Sequence, residues 1–288
     1  ILDVAEDSLE RLDFEDDTLA DLNLVEPDFD TFSSFDGLDV PYWIYTPLGE
    51  GMGPYPTIVN VHGGPEGQAW PVYDGVLQYF ISLGFCVVEP NVRGSTGFGK
   101  SYHHLDDVGK RLDSVKDLEF LAKHLIETGV AKEDQLAVMG ASYGGYMTLS
   151  ALVHSPDYWT CGFDNVGMSD LETFLENTAD YRRAHRESEY GTLENDREDL
   201  RRVSPIHRIE NIKAPLMVIH GANDPRVPVT EAEQIVARLK EQGNTVHYLR
   251  YDDEGHGLAR LENRLDANLQ LTKFFCEVMG IDLDDDDE

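Results

Sequence analysis

The sequence predicts an α/β chain built on a mostly parallel central sheet with helices on both faces. Short apolar runs alternate with stretches of helical spacing along most of its length. A serine flanked by glycines stands where one apolar run hands over to one helix. With 288 residues, 41% of them hydrophobic and 10% aromatic, the chain has enough apolar surface for a large core.

The elements follow in order. Residues 1–39 carry 14 acids against the single base Arg11, and Leu9, Leu12, Phe14, Leu19 and Leu22 keep no sustained period. Residues 1–34 therefore read as an acidic leader and residues 35–288 as the folded domain. The chain opens on Ile1 rather than on methionine, which reads as a numbering that starts inside a longer protein. Tyr42–Tyr45, Thr57–Val61, Phe85–Val92, Gln135–Met139, Leu216–His220 and Val246–Tyr251 are short apolar runs of strand type. Leu118, Leu121, Ala122 and Leu125 keep helical spacing, as do Tyr146–Val153 and the set Ala232, Ile235, Val236 and Leu239. Leu265, Leu269 and Thr272 open a closing helix. Between them Leu171–Ile212 breaks the rhythm with Arg- and Glu-rich helical segments, expected to cross over the carboxyl edge of the sheet. Asp284–Glu288 is a solvated acidic tail.

The charge balance narrows the function. Against 55 acidic side chains stand 23 basic ones, an excess of 32 negative charges. Such a surface repels phosphate backbones and anionic bilayers, and no basic patch offsets it, so neither nucleic acid nor membrane is expected as a partner. Only 8 of the 23 bases are lysine. A carboxylate-coated, lysine-poor surface resembles that of a halophile's protein, relaxed in concentrated salt where the screening length falls to roughly 3 Å at 1 M. Cys86, Cys161 and Cys276 lie far apart, so they read as small buried hydrophobes rather than as a disulfide framework or a zinc site. No cofactor and no metal is expected. No apolar run approaches the roughly 18 residues of a membrane span, and a cytoplasmic protein is the default expectation.

Gly140–Tyr146, GASYGGY, follows the strand Gln135–Met139 and precedes a helical run. This is the pattern of a nucleophile elbow: Ser142 sits on a strained turn, and Gly140 and Gly144 remove side chains that would collide there. A serine hydroxyl is a poor nucleophile near neutral pH, so a base and a group orienting that base must lie elsewhere in the chain. Asp224, in HGANDPRVP, follows the strand Leu216–His220, and His256, in YDDEGHG, follows the strand Val246–Tyr251. That gives the order Ser142, Asp224, His256, with Gly255 and Gly257 freeing the histidine loop. Asp252 and Asp253 are rival acids, but they read better as solvated turn carboxylates. His103, His104, His185, His207 and His247 show no metal spacing and read as surface or packing residues. Two donors must meet the developing oxyanion. The Tyr143 backbone N–H is one, and the Gly64 N–H, in VHGGP after Thr57–Val61, is the other.

Together, GASYGGY, VHGGP, NVRGSTGFG and the HGANDPRVP-to-DEGHG order resemble the prolyl oligopeptidase family of serine peptidases from about Phe35 onward, its acylaminoacyl and dipeptidyl peptidase branches above all. The resemblance implies an α/β hydrolase fold and a serine peptidase of oligopeptides, with Ser142 as nucleophile, Asp224 and His256 as its partners, and Gly64 with Tyr143 as oxyanion donors. It further implies that Arg226 holds a backbone carbonyl of the peptide substrate. Val227, with Tyr143 and Phe174, would line the pocket for the residue before the cleaved bond. Members of this family usually carry a β-propeller before the hydrolase domain. No blade-like repeat fits in residues 1–34, which could hold at most the remnant of one. An active site without that roof would take larger substrates, and self-association as a homo-oligomer is the expected substitute cover.

Two other activities compete. An esterase or lipase on small acyl esters would use the same triad, because fold and triad alone do not choose between ester and amide. GSTGFGKS, Gly94–Ser101, matches a phosphate-loop pattern, so an NTPase is a remote alternative; it needs a helix starting at Lys100, where Tyr102, His103 and His104 follow, and a carboxylate for magnesium, for which the best candidate, Asp252, follows a strand interrupted by Arg250.

Overall fold

The computed structural model describes residues 2–3, 8–9, 22–49, 51, 53–178 and 180–283. The tail expected at residues 284–288 and half of the acidic leader lie outside the described residues. Ahead of the main body, β1 (Leu2–Asp3) pairs antiparallel with β2 (Ser8–Leu9).

Eight strands form the central sheet: β3 (Asp28–Ser33), β4 (Asp39–Tyr45), β5 (Tyr55–Val61), β6 (Cys86–Pro90), β7 (Ala131–Ala141), β8 (Cys161–Asn165), β9 (Leu216–Gly221) and β10 (Val246–Tyr251), in the spatial order β10-β9-β8-β7-β5-β6-β4-β3. β4 is antiparallel to both β3 and β6, and the other neighbours run parallel. Parallel neighbours require crossovers, which the helices supply: α1 (Gly75–Ser82), α3 (Arg111–Glu127), α4 (Tyr143–His154) and α8 (Thr230–Gln242), while α9 (Leu261–Met279) follows the last strand. The inner strands are buried on both faces, as β9 is at every residue, so they read as continuous apolar runs rather than as alternation. Two apolar layers result: α3, α4 and α8 cover one face and α1 and α9 the other. All three cysteines are free and buried in these layers.

Two strands depart from the sequence reading. Asp28–Ser33 falls inside the segment read as leader, yet it pairs residue by residue with Asp39–Ile44, so the sheet begins six residues before position 34. Only Phe32 of this strand is buried, which leaves it the pattern of a solvated edge. Cys161–Asn165 contains a glycine and the fully buried Asp164, so it lacks the apolar run that marks a central strand. Residues 171–212 form α5 (Leu171–Asn177), α6 (Asp180–Tyr190), α7 (Arg197–Val203) and a 3₁₀ segment, Pro205–Asn211. The helix after the phosphate-loop lookalike, α2 (Lys100–His103), is a single turn of four residues.

Candidate active site

The order β7-β8-β9-β10 brings three loops to one edge of the sheet. Ala141 lies opposite Asn165, Asn165 opposite Ile219, and Gly221 opposite Tyr251. Ser142, Asp224 and His256 follow β7, β9 and β10, so their loops leave this edge side by side.

Ser142 stands between β7 and α4 with φ +59° and ψ −114°, a backbone conformation L-residues rarely adopt. Its N–H donates to the Asn165 carbonyl of the neighbouring strand at 2.8 Å. A β-carbon on Gly140 would lie 2.6 Å from the Gly144 and Val61 carbonyl oxygens, which is why the elbow needs glycine there. Tyr143 opens α4, so its N–H has no carbonyl a turn earlier within the helix and is left for another acceptor. The Tyr143 side chain is 1% exposed. Its hydroxyl bonds Asp106 at 3.2 Å and lies 3.1 Å from the Ser114 hydroxyl, while the fully buried Arg111 donates to it at 3.3 Å.

Asp224 and His256 meet. His256 Nδ1 lies 2.7 Å from Asp224 Oδ2, and Asp224 Oδ1 accepts the N–H groups of Arg226 and Val227 at 2.7 and 3.0 Å. Burial by itself would raise the Asp224 pKa, but the His256 bond and the two backbone donors outweigh it and hold the carboxyl below the ordinary aspartate value. The carboxylate is thus kept ionised and aimed, which fixes the imidazole with Nε2 outward. The two loops are stitched together: Asn223 N donates to the Glu254 carbonyl at 2.9 Å, and its side chain to the Asp252 carbonyl at 2.7 Å. Glu254 accepts the N–H groups of Ala259 and Arg260 at 2.8 and 2.9 Å, closing the turn that carries His256.

Gly64 lies in the loop after β5. A β-carbon on its neighbour Gly63 would stand 3.7 Å from the Ser142 β-carbon, so this loop passes directly over the elbow. The phosphate-loop lookalike braces it: Thr96 N donates to the Gly67 carbonyl at 2.8 Å, and His62 Nε2 lies 2.8 Å from the Ser95 hydroxyl. On this structure GSTGFGKS supports the loop of Gly64. Burial holds the His62 pKa below its ordinary value, so the ring is a neutral strut.

Of the remaining residues expected at the site, Arg226 is exposed, with no side-chain partner among the described residues. Val227 and Phe174 are each 2% exposed and join Tyr143 in one buried cluster, with Phe174 set edge-on against Tyr190. A cavity of about 190 Å³ opens beside the elbow, lined by Gly140, Ala141, Asn165 and Leu258, and none of Tyr143, Val227 or Phe174 lines it. His220 went unassigned in the sequence reading. It is fully buried at the end of β9, with Nε2 3.0 Å from the Val227 carbonyl and 3.6 Å from Asp224 Oδ2, so it backs the acid from behind. Its position four residues before Asp224 is the one signal that could have found it.

A sequence profile of the prolyl oligopeptidase family matches residues 71–282. Dipeptidyl aminopeptidase BIII of Pseudoxanthomonas mexicana is 37% identical over 240 residues, covering 81% of this chain and 34% of that protein. Among solved structures, an acylaminoacyl peptidase of Pyrococcus horikoshii superposes with a TM-score of 0.87 at 26% identity, over 96% of this chain and 45% of the other. A puromycin-hydrolyzing peptidase of Mycobacterium tuberculosis gives 0.83 at 28% identity, over 90% and 40%. The chain thus spans about a third of the length of the curated relative.

Proposed function

This chain belongs to the prolyl oligopeptidase family, and from that premise we propose that it hydrolyses peptide bonds of oligopeptides through an acyl-enzyme formed on Ser142. One observation carries the reading: the Asp224–His256 pair, 2.7 Å apart, at the sheet edge where the strained Ser142 turn emerges. His256 Nε2 takes the Ser142 proton as the hydroxyl oxygen attacks the scissile carbonyl, and returns it to the leaving amine as the tetrahedral intermediate collapses. Water then enters, loses a proton to His256 and releases the acyl group. Asp224 stays ionised throughout and stabilises the imidazolium. The N–H groups of Tyr143 and Gly64 receive the oxyanion. Arg226, exposed two residues beyond the acid, would bond a substrate carbonyl, and the buried Val227 and Phe174 would back the pocket for the residue before the cleaved bond.

The excess of 32 negative charges supports a protein that takes peptides and neither nucleic acid nor membrane surfaces. Among the described residues no helix is long and apolar enough to cross a membrane. Three free thiols suit a reducing compartment such as the cytoplasm. Trp70, Val72 and Tyr73, each more than half exposed, offer an apolar surface for self-association.

The test is a panel of aminoacyl, acyl-aminoacyl, dipeptidyl and simple ester chromogenic substrates, assayed in concentrated salt. Peptide-type amides should be cleaved, and turnover of esters alone would replace the peptidase reading with an esterase.

A further inference from the structure

Beside the loop of Gly64 four side chains from three parts of the chain converge. Glu66 belongs to that loop, His103 ends α2, and His185 and Glu189 stand one turn apart on α6. One ligand atom each from Glu66, His103 and Glu189 lies within 4.8 Å of the other two. His103 Nε2 is 3.8 Å from Glu66 Oε1, and His185 Nε2 is 3.6 Å from Glu66 Oε2. A tetrahedral ion with bonds near 2.1 Å sets its ligands roughly 3.4 Å apart; the His103–Glu66 contact is close to that spacing, while His185 meets the other carboxylate oxygen of Glu66.

The arrangement is prepared in a way a surface ion pair is not. His103 Nδ1 lies 3.1 Å from the Gly94 carbonyl oxygen, which can only accept, so Nδ1 carries a hydrogen and Nε2 is the nitrogen turned to Glu66. A backbone carbonyl on the far ring nitrogen is also the usual partner of a metal-ligating histidine. Glu189, 5% exposed, is held from behind by Arg111 Nη2 at 3.0 Å on Oε1.

We propose that Glu66, His103 and Glu189 form a binding site for a divalent transition-metal ion of the zinc class, with His185, beside the second Glu66 oxygen, turning in as the fourth ligand. Two imidazoles and two carboxylates suit zinc or cobalt rather than calcium or magnesium, which take oxygen alone. The ion would cross-link the Gly64 loop to α2 and α6, where Arg186 already donates to the Gly64 carbonyl at 3.4 Å. It would also draw Glu189 away from Arg111, which holds the Tyr143 hydroxyl. Resting on the proposed oxyanion roles of Gly64 and Tyr143, filling the site lowers turnover.

Cobalt(II) titration of the whole chain in concentrated salt tests the site without any need for activity. One equivalent should bind with the intense visible bands of four- or five-coordinate cobalt. Affinity should fall at least tenfold in His103→Ala and in Glu66→Gln, and also in His185→Ala, whose largely exposed side chain makes unfolding no explanation. No such bands, or bands unchanged in all three variants, would overturn the site. Zinc should inhibit ester hydrolysis over the same concentration range, shifted at least tenfold upward in the variants. Inhibition identical in parent and variants would overturn the coupling to the Gly64 loop.

Discussion

A β-carbon on Gly144 would stand 2.0 Å from the carbonyl oxygen of Val61. The first turn of α4 therefore rests on the end of β5 with no room for a side chain, and the chain beyond Val61 becomes the Gly64 loop. One contact sets both the proposed nucleophile and its proposed oxyanion loop. Gly144→Ala should force the two apart, costing about 1–3 kcal/mol of stability and most of the activity. Thermal melting and ester turnover check this, and an alanine variant of unchanged Tm and kcat would contradict the packing.

In the proposed function Arg226 separates peptide from ester. Its guanidinium has no other side-chain partner among the described residues, so its loss leaves nothing buried unpaired. Arg226→Ala should lower kcat/KM for a peptide substrate by roughly tenfold or more and hardly change that of a small ester, which offers no further backbone carbonyl. Equal losses on both substrates would remove the residue from substrate binding.

Asp164 makes stability depend on pH. Burial, opposed by the Gly167 N–H and reinforced by nearby Glu231, pushes its pKa up to about 7. The folded state thus keeps a proton that the unfolded chain loses near pH 4. The stabilisation, on the order of a few kcal/mol, is fully present below pH 4 and is lost as pH rises through about 7. Asp164→Asn cannot ionise, so the Tm of the variant relative to the parent should rise between pH 5 and pH 8. A constant difference would refute the raised carboxyl.

Much of this architecture is legible in the sequence because its elements carry their own physics. The apolar runs of β5, β7 and β9 and the glycines of the elbow are direct consequences of burial on both faces and of backbone crowding. β3 is hidden by its acidic alternation, and β8 by Asp164, a carboxylate where a hydrophobe is expected. Asp224 and His256 could be found because each follows a strand. Glu66, His103 and Glu189 come from three distant parts of the chain, so only the folded chain brings them together.

Salt should govern folding. The 32 uncompensated charges raise the energy of the compact state when unscreened, and at 1 M salt the screening length shrinks to roughly 3 Å. Circular dichroism should show native helix content in molar salt and its loss in dilute buffer. A native spectrum with full activity in dilute buffer would leave the charge excess without a folding role.

The most direct measurement is covalent labelling with a fluorophosphonate, followed by mapping of the adduct. Attack on phosphorus needs a serine oxygen activated by a base and an oxyanion pocket, the combination assigned to Ser142, His256, Tyr143 and Gly64. Labelling should be stoichiometric on Ser142, absent in Ser142→Ala, and slowed by roughly a thousandfold or more in Asp224→Asn, where the imidazole loses the group that orients it. An adduct on another serine, or labelling that persists in Ser142→Ala, would contradict the account.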